Sequence, residues 1–175
     1  MKKKTISVTS ASIYAMLITF IISIPILIAY YITTGVLKPE KTLVKSIKLY
    51  EFVIVVSGSI VVHELIHAAV FSVFAKDTWK NVKIGFQIKT LTPYAHCKVP
   101  LKKIHYELAL MMPGIILGLI PVIIAFNTAS ILLLYYGLFM LMGAGGDIVL
   151  LFMLRKVPNT KKILDHDSEV GFYIL

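Results

Sequence analysis

One cysteine, one arginine and nine acidic residues are all that this 175-residue chain holds of those types. The lone Cys97 excludes an intramolecular disulfide and any zinc cluster built from cysteines. With a single arginine there is no arginine-rich helix, and no platform of interleaved aromatic and basic residues replaces it, so no nucleic-acid partner is expected. Charge is sparse as well, at 15% of residues, against 58% hydrophobic and a mean hydropathy of +0.85. That balance excludes an ordinary soluble domain and implies a small polytopic membrane protein, residues 1–175 forming one membrane-embedded domain. The net charge of +9 comes almost wholly from seventeen lysines outside the apolar runs, a distribution suited to anionic head groups of a lipid bilayer.

Polar residues do interrupt one apolar run, Phe52 to Ala75, where His63-Glu64-Leu65-Ile66-His67 reads HELIH. Histidines four apart on a helix are separated by about 6 Å of rise and about 40° of rotation, so both imidazoles reach one metal ion. Glu64 then points near the ion without having to bind it. Two nitrogen ligands, an open position for water and a carboxylate to take its proton make up the zinc-hydrolase arrangement. A charged side chain in lipid costs roughly 2–3 kcal/mol on insertion scales, so these residues need a reason to be there. The plainer alternative is a pair of histidines hydrogen-bonded between helices.

Four spans are expected, at about 12–33, 52–75, 106–126 and 129–154, with a segment at 76–104 and a polar tail at 155–175. The fold class is therefore all-α membrane protein. Pro25 should bend the first span, and Pro113, Pro121 and the Gly114-x-x-x-Gly118 pair should bend the third and pack it tightly. Lys41, Lys45 and Lys48, with Leu43, Ile47 and Tyr50 on another face, suggest a short interfacial helix. Between the second and third spans, Val82, Ile84, Phe86 and Ile88 alternate with polar residues. A turn signal at Thr92-Pro93 follows, then Tyr94 to Val99 as a second strand, giving a small hairpin-like segment. Such a hairpin either rests on head groups or holds an unwound substrate along an exposed edge. With four spans, fourteen positive residues share a side with both termini and four lie opposite, so both termini and the hairpin are expected in the cytoplasm of a multi-pass cell-membrane protein.

A third metal ligand is required, and Asp147 is the only acidic residue within the fourth span. Asp147 and the HELIH motif lie at similar depth, roughly 10–15 Å inside the cytoplasmic boundary. The glycines before Asp147 should let its backbone approach the second span. His96 and Cys97 are candidates for a substrate-side role or an alternative ligand, weighed against an ordinary loop pair. His105 and Glu107 look interfacial, and Asp165-His166-Asp167 resembles a metal site by composition only.

HELIH, Pro93-Tyr94-Ala95-His96-Cys97-Lys98, Met112 to Gly118 and Gly146-Asp147 together resemble the putative zincin peptidase family of small bacterial membrane proteins, over about residues 50–154. More distantly the arrangement resembles the site-2 intramembrane metalloproteases, although Gly-Gly-Asp-Ile stands where those carry a longer Asp-Gly signature. The resemblance implies a metallopeptidase. Together with the residues it yields one expectation: an integral-membrane zinc metalloprotease in which His63, His67 and Asp147 bind Zn²⁺. Glu64 would be the general base, and a membrane protein or peptide the substrate. The competing class is a non-catalytic membrane protein with a structural metal site, in an immunity or metal-handling role.

Overall fold

The computed structural model describes residues 1–35, 48–75, 78–87, 92–166 and 169–175. Most of the expected interfacial helix (Lys41, Leu43, Lys45, Ile47) lies outside the described residues, as does Ile88.

The chain opens with a strand, β1 (Lys2–Ile6), and enters the long helix α1 (Val8–Thr34) through Ser7, whose hydroxyl accepts from the Ser10 amide. Pro25 sits inside α1 without ending it; Gly35 does, in a left-handed conformation at φ 71°. Helix α2 (Leu49–Phe74) begins where the Glu51 carboxylate accepts from the Lys48 amide. A short 3₁₀ turn (Thr78–Asn81) leads to the antiparallel hairpin β2 (Val82–Gln87) and β3 (Thr92–Cys97). The hairpin is as expected, with one correction. Thr92-Pro93 is not the turn but the start of β3, Pro93 facing Phe86 across the pair. Proline is tolerated at the beginning of a strand, where no ladder donor is lost.

After β4 (Leu101–Lys102) comes a continuous helical rod of three parts: α3 (Lys103–Pro113), a π-helical stretch (Gly114–Leu119) and α4 (Ile120–Thr128). Pro121 has no amide to offer the carbonyl four residues back, and the widened turn accommodates that gap. Asn127 and Thr128 fall between the expected third and fourth spans, where the chain has to turn. They remain helical, their side chains donating to the Ile123 and Ile124 carbonyls, and the reversal falls on Ala129 at φ 50°. Helices α5 (Ile131–Gly143) and α6 (Gly145–Leu154) follow, bent 48° apart at Ala144.

Three helices, Val8–Thr34, Leu49–Phe74 and Lys103–Thr128, are long and apolar enough to cross a membrane, and the bent α5–α6 pair qualifies when taken together. Along α1, Ile13, Leu17, Phe20, Ile24 and Ile28 form an exposed stripe at helical spacing. Lipid can cover such a stripe without cost; water cannot.

The tail carries the feature that sequence reading left blank. Strands β5 (Lys162–Asp165) and β6 (Val170–Ile174) join β1 and β4 in an antiparallel sheet of order β1-β6-β5-β4. The two ends of the chain thus pair directly, Lys4 opposite Phe172. Phe172 and Ile163 are fully buried in a cluster with Phe71 of α2, Tyr106 of α3, Cys97 of β3 and Leu154 of α6. A second cluster, around Tyr30, Val122 and Leu134, holds α1, α4 and α5 together.

Because Phe172 is wholly enclosed, Phe172→Ala should lower stability by about 3–5 kcal/mol. The readout is the unfolding midpoint of the detergent-solubilised protein, and an unchanged midpoint would show that the sheet is not docked on the helices.

Candidate metal centre

Helical spacing on α2 puts His63 and His67 on one side, and both rings are buried. Opposite them stands Asp147, in the first turn of α6, just past the bend at Ala144. The His63 and His67 Nε2 atoms are 3.2 Å apart. One Asp147 oxygen lies 3.1 Å from His63 Nε2, and the other lies 3.3 Å from His67 Nε2. Among the described residues, these three form the one cluster of histidine, cysteine and carboxylate side chains able to hold a metal ion.

The donor set fits a zinc-like ion on two counts. Ligands about 2.0–2.1 Å from a tetrahedral ion lie about 3.3 Å from one another, close to the spacings observed. Secondly, the hydrogen bonding of His67 selects its tautomer. Its Nδ1–H donates to the Ala109 carbonyl of α3 at 2.9 Å, which leaves the Nε2 lone pair of the neutral ring turned toward His63 and Asp147. Lone pairs facing one another this closely need a shared proton or metal ion, and among the described residues no lysine or arginine pairs with Asp147 or Glu64.

The Ala109 carbonyl is available for a reason written in the sequence. In an α-helix it would accept from the amide of residue 113, and residue 113 is proline. Pro113 therefore frees the acceptor that orients His67.

The glycines act otherwise than expected. A Cβ on Gly145 would lie 2.7 Å from the Ala15 Cβ, so this glycine lets α6 approach α1, not α2; Gly143 and Gly146 face open space. Closeness to α2 comes from Asp147 itself reaching the histidines.

Glu64 reaches the hairpin, where the Ala95 amide of β3 donates to its carboxylate. A cavity of about 140 Å³ is lined by Glu64, His67 and Asp147 together with Pro93, Tyr94 and Ala95 of the hairpin. A wider crevice of about 300 Å³ opens beside it, past His63, Glu64 and Pro93, to Met140 and Gly143 of α5. The hairpin thus lines the centre through Pro93, Tyr94 and Ala95.

His96 and Cys97 are placed elsewhere. His96 Nδ1–H donates to Asp165 of β5 at 3.0 Å, and Asp165 also accepts the Tyr106 hydroxyl at 2.8 Å. Cys97 is buried in the hydrophobic cluster, its thiol donating to the Val99 carbonyl at 3.4 Å, and burial pushes that thiol up. Asp165 and His166 do not converge: His166 accepts from the Glu169 amide and meets the Tyr173 hydroxyl at 3.0 Å. Asp167 lies outside the described residues. Of the interfacial pair, His105 stacks on Phe74 and Glu107 pairs with Lys103. Sequence reading missed Tyr106, Asp165 in this role, and the Ala109–Pro113 relation; only the last had a local signal, a proline four residues after a carbonyl.

The comparisons with known proteins come to one finding. A family model described as putative zincin peptidase matches residues 56–161. No curated protein and no solved structure matches the chain.

Pro113→Ala should restore an amide that competes for the Ala109 carbonyl, loosening the His67 ring. Losses of 10–100-fold in metal affinity are typical when such a partner is removed. Competition with a chelating dye, with Pro121→Ala as control, measures it; equal affinities in the two variants would refute the role assigned to Pro113.

Proposed function

The chain belongs to the putative zincin peptidase family, and we propose that it is an integral-membrane zinc metallopeptidase that cleaves a peptide bond in or near the bilayer. The observation that carries this reading is the convergence of His63, His67 and Asp147 from two separate helices, with Glu64 one residue from the first ligand. These three side chains would hold the ion. When bound, it supplies Lewis acidity, acidifying water toward a pKa of ~7 and polarising a carbonyl oxygen.

In this reading Glu64 takes the proton of the attacking water and returns it to the departing amine. Its carboxylate lies under β3 and on the wall shared by both crevices, so it meets water and a peptide from the same side. A transmembrane helix hides its peptide bonds in internal hydrogen bonds, so a substrate must be unwound before cleavage. The hairpin of β2 and β3 beside Glu64 would hold it extended by main-chain pairing. The bent α5–α6 pair counts as the fourth span, and the distribution of lysines puts both termini, the hairpin and the sheet in the cytoplasm. Water then enters from that side. Substrates are membrane proteins or membrane-associated peptides.

Metal analysis of purified protein tests the ligands: His67→Ala and Asp147→Ala should each lose the bound ion, and unchanged content in both would remove the site. Glu64→Gln should keep the metal and the melting temperature. It should also slow cleavage of co-reconstituted transmembrane peptides by about 10²–10⁴-fold, the range for a lost general base. Full activity in Glu64→Gln would favour a structural role for the metal.

A further inference from the structure

Away from the metal centre, a crevice of about 520 Å³ runs between α1 and α6, within the ~300–1,000 Å³ range of ligand sites. Its walls are two helical faces: Tyr14 and Ile18 of α1, and Val149, Phe152 and Met153 of α6. Two cations join this lining, Lys4 from β1 and Lys156 just past the end of α6. Both stand where these helices meet the sheet, and the floor descends from them into apolar surface. From Lys156 to Val149 the drop is about 10 Å.

Among the described residues, no acidic side chain lines the crevice. That distinguishes it from the crevice on the opposite side of α6, where Lys103 and Arg155 share the lining with Glu107 and Lys103 already pairs with that carboxylate. An apolar trough with a doubly cationic mouth has a definite complement: an anionic head with a hydrocarbon tail. We propose that the crevice between α1 and α6 binds an anionic glycerophospholipid, its phosphate between Lys4 and Lys156 and one acyl chain along Ile18, Val149 and Phe152. A soluble phosphate would leave the trough empty, and a zwitterionic lipid would bring its own cation to the lysines. The site is independent of the metal centre and of peptidase activity.

The test is native mass spectrometry of the full chain in detergent, titrated with phosphatidylglycerol or phosphatidylcholine of matched acyl chains. Each lysine near a head group contributes about five-fold in binding, so phosphatidylglycerol should be preferred by about thirty-fold. Lys4→Gln/Lys156→Gln should abolish the preference. Lys4→Arg/Lys156→Arg should keep it, and so should the charge-matched control Lys48→Gln/Lys83→Gln at exposed lysines that do not line the crevice. Ile18→Trp, which fills the trough with both lysines intact, should lower phosphatidylglycerol retention and covers the case of a double variant that fails to fold. The proposal is overturned if the Gln pair retains the preference, if the control loses as much, or if glycerol phosphate displaces the lipid.

Discussion

Two imidazoles and the Asp147 carboxylate meet where the surrounding helices are apolar enough for lipid, and among the described residues no lysine or arginine pairs with them. Burial of uncompensated charge is among the costliest things a fold can do, so the positive charge has to be shared protons or a metal ion. A centre of this kind tolerates little slack, because each lone pair depends on the same small volume. Much of the architecture can be understood as holding three side chains on α2 and α6, His63, His67 and Asp147, within 3.1–3.3 Å of one another.

Each candidate ligand is fixed from outside its own helix. Asp147 takes its position from the 48° bend at Ala144 and from Gly145, which lets α6 lean on Ala15 of α1. His67 takes its tautomer from Ala109, and Ala109 has a carbonyl to give because Pro113 cannot claim it. Ser59, one turn before His63, hydrogen-bonds Tyr136 of α5 at 3.0 Å and ties α2 to the helix leading into the bend. None of these contacts is strong alone. Together they leave the cluster one arrangement.

What could be read from the sequence was what has a period or stands out against an apolar background. HELIH has helical spacing, Asp147 is a solitary acid in a long apolar run, and the alternation from Val82 to Phe86 announces a strand. The relations that escaped are non-local. Lys2 to Ile6 and Val170 to Ile174 are too short and too far apart to signal that they pair, and without that sheet the partners of Asp165 could not be named. The glycines before Asp147 were read as making room for α2, since spacing gives closeness without saying to which neighbour; only one serves, and its neighbour is α1. Thr92-Pro93 has turn composition but sits at a strand end, where proline is equally at home.

The terminal sheet and the metal cluster are joined through one helix. On α3, Ala109 faces His67, and Tyr106, three residues earlier, faces Asp165 of the sheet and through it His96 of the hairpin. Three residues are about 4.5 Å of rise, so a slide of α3 by a single turn would break both contacts at once. Tyr106 is fully buried between Phe71 of α2 and Phe172 of β6, which resists such a slide by packing as well as by hydrogen bonding. The hairpin that roofs Glu64 is held by the same Asp165. The four-stranded sheet outside the apolar helices, through Asp165 of β5 and Phe172 of β6, therefore sets both the orientation of a candidate ligand and the position of the segment beside the general-base candidate.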